Sequence, residues 1–351
     1  MRFFKLIAMK NSQISPLNDT ILQMVQTAFE KRAELIFGNP KSAGRLFHGF
    51  TEGYPEISLD LYARTVVITT FPKTQRKSSA ELSSICELAK ANIPNLKCIL
   101  LKERFSDDSA LQKGRILFGT EPDDEILEWG VRYKIDLRLN RDSSFYLDSS
   151  ILRKWLLEHA FRKSILNTFA YTGSLGMAAL AGNADFVLQT DLNSNFLRLF
   201  RESADCNAIR QDRYQIIPGD FFRITSSLRH QKKLFGLVII DPPFFSQTNA
   251  GRVDQLRHGI QLINKIRPLV SDGGKIIAIN NALFLSGKEY WSQLEEICAD
   301  GFMRIDEIIP VPESFFGSVY NLEHVPADPA PFNFSTKIAV LEVHRKDGRN
   351  E

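Results

Sequence analysis

Cysteine is scarce in this chain. Cys86, Cys98, Cys206 and Cys298 are the only four in 351 residues, too few and too scattered for a disulfide framework. None stands in a C-x-x-C pair or near a histidine at metal-ligand spacing, so no zinc or iron–sulfur site is expected. The scarcity fits a reducing compartment. Long apolar runs are also missing: nothing approaches the ~20 residues of a membrane span. The amino-terminal MRFFKLIAMKNSQ lacks the apolar core of a signal peptide, and a cytoplasmic location is expected. Charge of one sign is not in excess either. The 44 Lys and Arg against 41 Asp and Glu leave a net +3, which does not announce a nucleic-acid binder, although cations can still cluster on one surface. There is no internal repeat and no low-complexity tract.

The length and the 44% hydrophobic content are enough for two ordinary cores. A lead-in and a helix over Ile21 to Phe37 come first. The runs EISLDLY and TVVITTF are rich in β-branched and aromatic residues and read as strands. A helix follows in SSAELSSICELAKANI, with Ser78 or Ser79 as N-cap and Glu81 placed for a capping box. KCILLKER and GVRYKIDL complete a small α/β domain over residues 1–138. From 139 to 351 the rhythm changes. SILNTFA, DFVLQTD, YQIIPGD, LFGLVIID and GGKIIAIN are five apolar runs, each followed by a helical stretch, which predicts a doubly wound parallel sheet. Each has Asp, Gly or Asn at its C-terminal end, where such sheets bind ligands. PADPAPFNFSTKIAVLEV reads as a proline-guided loop and a last strand.

The first of these strands runs into Tyr171-Thr172-Gly173-Ser174, with Gly176 in the next helix. Glycine here permits close approach of a ligand to the backbone, and the helix N-terminus offers free N–H groups; packing alone could also require it. The full G-x-G-x-x-G is missing, which argues against a pyrophosphate cofactor such as NAD. Asp191, eighteen residues past Gly173, is placed to accept from ribose hydroxyls or to cap a helix from Ser194. Asp220 of Pro218-Gly219-Asp220 could accept from an adenine amino group or act as an N-cap. Asp241-Pro242-Pro243-Phe244-Phe245-Ser246 is the most informative stretch. The prolines fix a rigid bend that sets a carboxylate, a carbonyl and an aromatic wall beside one another, suiting a planar heterocycle. The six histidines, His230 and His258 among them, form no constellation.

In this order, NTFAYTGSLGMAA, Asp191, Pro218-Gly219-Asp220 and DPPFFS resemble the motifs of class I S-adenosylmethionine (AdoMet)-dependent methyltransferases. More narrowly, they resemble the D-P-P-x-F group acting on large-subunit ribosomal RNA, which includes cytosine-C5 enzymes and guanine-N7 enzymes. SSFYLDSSILRKWL is similar to the family's G-F-F-L-D-x-R-x-x-R segment, which helps form the AdoMet pocket. GRLFHGFTEGYPEISLDLYARTVVI is similar to the segment where an RNA-binding PUA domain gives way to a central α/β domain. The sequence departs from the pattern in three places. Asp142-Ser143-Ser144 stands where relatives have Lys-Thr-Gly. Ser150 replaces an arginine, though Arg153 is retained. About 40 residues precede Gly44, fewer than a complete PUA domain, so a reduced or rebuilt RNA grip is expected.

The resemblance implies a Rossmann-like class I methyltransferase sheet with a smaller N-terminal α/β domain, S-adenosyl-L-methionine as cofactor, RNA as partner and no metal. Cofactor contacts are expected from Tyr171, Thr172, Gly173, Asp191, Asp220 and Asp241, and base contacts from Asp241, Pro242, Phe244 and Asn280. Asn280-Asn281 stands where the cytosine-C5 enzymes carry their catalytic cysteine, and it resembles the guanine-N7 members. Methylation at C5 needs a nucleophile, normally a thiolate, at C6; Cys206 reads as core and Cys298 lies in a later helix. A base nitrogen attacks the sulfonium methyl unaided, so guanine N7 is expected ahead of an exocyclic amine. The alternatives are a cytosine-C5 enzyme, an N-methyltransferase of a protein or small molecule, and a non-catalytic RNA-binding protein.

Overall fold

The structure is a computed structural model and describes residues 16–71, 79–255, 259–315 and 327–350. Helix α1 (Pro16–Lys31) starts five residues before the expected Ile21, with a proline in the first turn where its missing N–H goes unneeded. Ile21, Val25, Ala28 and Phe29 form its buried stripe. The helix breaks at Arg32, which pairs with Glu52 at 2.7 Å, and restarts as α2 (Ala33–Phe37).

The first sheet is built from β1 (Ala43–Phe47), β2 (Ile57–Tyr62) and β3 (Thr65–Thr70), then α3 (Ser79–Asn92), β4 (Cys98–Glu103), α4 (Ser109–Lys113) and β5 (Arg115–Phe118). The five strands pair in chain order, and only β3 and β4, joined through α3, run parallel. Ser78, the other expected cap of α3, lies outside the described residues; Glu81 accepts from the Tyr54 hydroxyl. Both faces of this sheet are covered. Val66, Ile68, Ile99 and Leu101 pack with α1 and α3, whereas Val67 and Leu100 join the core of the second half. The expected boundary at residue 138 is therefore crossed by a continuous apolar cluster.

A hairpin of β6 (Glu125–Glu128) and β7 (Val131–Lys134) leads into α5 (Ser150–His159) and the second sheet. Its elements are β8 (Ser164–Thr168), α6 (Ser174–Ala181), β9 (Phe186–Thr190), α7 (Leu197–Cys206), β10 (Tyr214–Ile216), α8 (Phe221–His230) and β11 (Phe235–Ile240). A small hairpin, β12 (Phe245–Thr248) and β13 (Gly251–Asp254), follows. Then come α9 (Gly259–Ile266), β14 (Val270–Asn280), α10 (Gly287–Cys298), β15 (Met303–Ile308) and β16 (Lys337–Val343). The hairpin β6–β7 packs on α7, so it is tied to this half.

The seven strands are ordered β10-β9-β8-β11-β14-β16-β15, with β16 antiparallel to its neighbours. All five expected parallel strands are present. The winding reverses between β8 and β11, so their carboxyl ends open a crevice. There Thr168 pairs with Ile240, and Ile240 with Ala278. Among the described residues no helix is long and apolar enough to cross a membrane, and no group of three or more His, Cys, Asp or Glu could hold a metal.

Candidate active site

The turn after β8 holds two residues in the left-handed region, Phe169 at φ +53° and Tyr171 at φ +52°, before Gly173 at +76°. Side-chain-bearing residues reach this region at a cost of roughly 1–2 kcal/mol each. Contacts to β9 hold them there: Ala170 N–H donates to Thr190 O at 2.9 Å and Tyr171 N–H to Asp191 Oδ2 at 2.8 Å. The space that a Cβ on Gly173 would take is filled by the Phe200 ring, with atoms at 2.7–2.9 Å, and Gly176 is pressed against Gln189. Packing therefore accounts for both glycines. Thr172 is buried, and its hydroxyl donates to Ser144 O at 2.6 Å.

Asp191 caps no helix, because α7 starts only at Leu197. Its carboxylate accepts from Tyr171 N–H and, at 2.9 Å, from Asn193 N–H. Lone pairs remain for a ligand. Burial raises its pKa against the opposing pull of those N–H groups. Asp220 is the N-cap of α8, accepting from Phe222 and Arg223 N–H at 2.9 and 3.2 Å, and its other oxygen accepts from Thr248 Oγ1 at 2.5 Å. The capping role is thus realised, and it also fastens the β12–β13 hairpin to α8.

Asp241 lies at the end of β11. Burial pushes its carboxyl up to about 7, and the charge of Asp148 adds in the same direction. Asp148 accepts from Thr336 Oγ1 at 2.8 Å. Neither carboxylate makes an ion pair among the described residues. Beside them the rings of Tyr146 and Tyr171 sit 5.4 Å apart.

Beyond Asp241, Pro242 and Asn280 line one small cavity together with Gln255. Gln255 is buried and bridges the two strand ends: its amide N–H donates to Pro242 O, and its Oε1 accepts from Asn281 N–H at 2.9 Å. Asn280 is also buried, and its Oδ1 accepts from Ala282 N–H at 2.9 Å, a strand-end turn. Phe244 stands apart from that cavity, 47% exposed, next to Phe245 (51%), whose ring lies 5.1 Å from the Arg252 guanidinium. Cys206 is a correction: it is half-buried at the end of α7, with Sγ 3.8 Å from Glu125 Oε2, and not in the core. His258 lies outside the described residues.

The loop preceding α5 is held from below. Lys102 on β4 has no exposure and donates to Asn140 O at 2.9 Å and Asp142 O at 2.8 Å. Burial pulls its ammonium down to about 8. Asn140 Oδ1 in turn accepts from the Tyr171 hydroxyl at 3.1 Å. Arg153 is fully buried against Glu128 and donates to Tyr146 O at 2.9 Å. Ser144, where relatives carry glycine, has φ +57°, so the glycine-like turn is kept with a serine. Tyr146, Asp148, Gln255 and Lys102 were not singled out from sequence. Only the first two carried a signal, through their place in SSFYLDSSILRKWL.

A family model described as S-adenosylmethionine-dependent methyltransferase matches residues 44–301, and the chain belongs to that family. It is an enzyme using S-adenosylmethionine as methyl donor. Ribosomal RNA large subunit methyltransferase I of Aeromonas salmonicida (strain A449) is 27% identical over 293 residues, which are 80% of this chain and 70% of that protein. Ribosomal RNA large subunit methyltransferase K/L of Shewanella loihica (strain ATCC BAA-1088 / PV-4) is 26% identical over 64% of this chain and 32% of its own. Among solved structures, SMU.776, a methyltransferase complexed with SAH, superposes with a TM-score of 0.81. It is 21% identical and covers 95% of this chain and 83% of its own. The tRNA m1G37 methyltransferase of M. jannaschii reaches 0.54 at 17% identity, covering 93% and 79%. At these identities the structural likeness shows the fold.

The donor set fits this cofactor. Asp191 keeps lone pairs free, Tyr171 offers an aromatic face, and Asp148 and Asp241 are two carboxylates that make no ion pair among the described residues.

Proposed function

We propose that this enzyme methylates a nitrogen of an RNA base in the large ribosomal subunit, guanine N7 ahead of an exocyclic amine. One observation carries the reading. The turn after β11 carries a buried carboxylate at Asp241, the Pro242 carbonyl and the exposed Phe244 ring in close succession, and no thiol stands at the end of β11 or β14. Cys86 and Cys98 are buried in the first half, and Cys206 and Cys298 lie at the far ends of α7 and α10. The Aeromonas salmonicida and Shewanella loihica relatives act on ribosomal RNA by their names, which supports that substrate class.

In this reading Asp191 holds the ribose, Asp220 lies on the adenine side, and the Tyr171–Gly173 turn with Tyr146 flanks the cofactor. Asp148 and Asp241 face its positive charge. The bound cofactor supplies an electrophilic methyl group on a sulfonium. Phe244 stacks on the target base, while Asp241 and the Pro242 carbonyl accept from its N–H donors. Asn280 keeps the end of β14 in place beside them. Positioning of the nitrogen lone pair for in-line attack is the main contribution of the protein. A C5 product would require a nucleophile adding at C6, and none is placed for it.

The test is incubation of the purified protein with labelled S-adenosylmethionine and either total RNA or total protein. Mass spectrometry of nucleosides from cells with and without the gene then identifies the product. A label that resists RNase and disappears with protease would overturn the RNA reading, and 5-methylcytosine would overturn the nitrogen target.

A further inference from the structure

On the opposite edge of the second sheet lies a cleft of about 110 Å³, lined by Arg229, Lys232, Lys233, Arg345 and Arg349 with Leu234 and Pro268. Three parts of the chain converge on it: the end of α8, the segment entering β14, and the tail after β16. Among the described residues, one carboxylate pairs with any of these five cations. Asp347 accepts from Arg345 Nε at 2.7 Å and Arg349 Nε at 2.6 Å. Among the described residues, Arg229, Lys232 and Lys233 make no ion pair, and all three are exposed. In a chain of net charge +3 this is a marked local excess.

The cleft is also held in shape. Arg345 donates to Pro268 O and Val270 O, both at 3.0 Å. Its own N–H donates to Asp272 Oδ1 at 2.7 Å, while Asp272 N–H donates to Arg349 O at 2.8 Å. The tail is thereby strapped to the start of β14. The C-terminal dipole of α8 favours a cation such as Arg229. It does not account for Lys232 and Lys233 beyond the helix, or for the two arginines brought from the tail.

We propose that this cleft binds backbone phosphates of the RNA substrate, away from the nucleotide being methylated. Exposed, mixed Lys and Arg without base-sized aromatic faces suit sequence-independent phosphate contact. The cleft lies at the amino ends of β11 and β14, whereas Asp241 and Asn280 lie at their carboxyl ends. Six residues of β11 separate the two edges, roughly 20 Å at ~3.3 Å per residue. The nucleotide seated in the crevice does not itself reach the cleft, so an RNA that uses both must continue several nucleotides beyond its target and pass around the edge of the sheet. The substrate class that uses both edges is an RNA long enough to follow the surface from one edge to the other. This inference rests on the RNA reading above and adds the size of RNA that the enzyme grips.

The test compares wild type with the double variant Lys232→Glu/Lys233→Glu on full-length large-subunit RNA and on a short fragment containing the target nucleotide. On the long RNA the variant should raise KM on the order of tenfold and flatten the salt dependence of binding by about two phosphate contacts. Methylation of the fragment, S-adenosylmethionine affinity and melting temperature should stay at wild-type values. The neutral variant Lys232→Gln/Lys233→Gln should move KM in the same direction by less. Equal KM values on the long RNA, or equal losses on long RNA and fragment, would overturn the cleft while leaving the RNA reading standing. Failure of the wild type to methylate any RNA would overturn the reading of function itself, and the cleft proposal with it.

Discussion

Arg153 and Glu128 form an ion pair cut off from solvent, with the guanidinium forked onto both carboxylate oxygens at 2.5 and 2.9 Å. The third edge of the guanidinium donates to Tyr146 O, and its face lies 3.9 Å from the Phe145 ring centroid. The pair joins the β6–β7 hairpin to α5 and fixes the backbone that presents Tyr146 and Asp148 to the crevice. Removing one partner of a buried pair strands the other, which typically costs about 3–5 kcal/mol. Arg153→Ala should lose stability in that range by denaturant titration. Arg153→Lys should rescue little, because an ammonium cannot fork. A loss under about 1 kcal/mol would mean that the pair contributes little net stability.

Asp191→Ala should weaken S-adenosylmethionine binding by about 1.5–3 kcal/mol, the range for hydrogen bonds to a charged group. Asp191 also accepts from Tyr171 N–H, so Asp191→Asn, which keeps an acceptor for the turn, should lose less. Calorimetric titration of both variants checks this. Unchanged affinity in the alanine variant would remove Asp191 from the cofactor pocket.

The titration of Asp241 sets the pH behaviour. Its carboxyl is raised from 3.8 to about 7 in the folded protein, so the fold retains a proton that the unfolded chain releases. The resulting stabilisation of the free protein is complete below pH ~4 and is lost as pH rises through about 7. The cationic cofactor favours the ionised form, so its affinity should rise with pH across the same window. Melting curves and titrations at pH 5, 6, 7 and 8 test both trends, and Asp241→Asn should flatten both. A wild-type affinity that is flat with pH would show that Asp241 does not face the cofactor's charge.

Replacing all four cysteines with serine should leave turnover within a few-fold of wild type once losses of stability from buried Cys86 and Cys98 are corrected. RNA containing 5-fluorocytosine should form no covalent adduct, since such trapping requires a nucleophile at C6. Phe244→Ala, in contrast, should lower the rate on the order of a hundredfold by freeing the base from its in-line pose. A gel-stable adduct would locate a nucleophile in this enzyme.

The second half was legible because its strands are short, mostly apolar runs, a pattern that a buried parallel sheet imposes, and several run into or end on Asp or Asn, as at Asp191, Asp241 and Asn280. Asp191 and the Asp241 turn were legible for the same reason, since the strand end fixes where a side chain goes. Gln255 and Lys102 were not legible. Each reaches its place through tertiary packing across long sequence distances, Lys102 meeting Asn140 and Gln255 meeting Asn281. Why the glycines are needed was legible only in part, because sequence alone does not reveal that Phe200 stands behind Gly173. The break at Arg32 was missed because the apolar period continues across it. At the break, Arg32 pairs with Glu52, which lies on another part of the chain.

The turn at Phe169 and Tyr171 places a limit on how this enzyme can be improved. Two bulky residues kept in left-handed backbone mark it as an obvious target for raising heat tolerance, since glycine or asparagine would relieve the torsion. The ring that makes Tyr171 awkward is also the one set at a tilt beside Tyr146, with its hydroxyl on Asn140. If Tyr171 flanks the methyl donor as proposed, selection for a tougher protein and selection for a tighter grip on that donor pull on one side chain in opposite directions. Phe169 is bound in the same way: its ring stacks on Phe221 with centroids 4.7 Å apart, so relieving its torsion with glycine or asparagine would forfeit that packing.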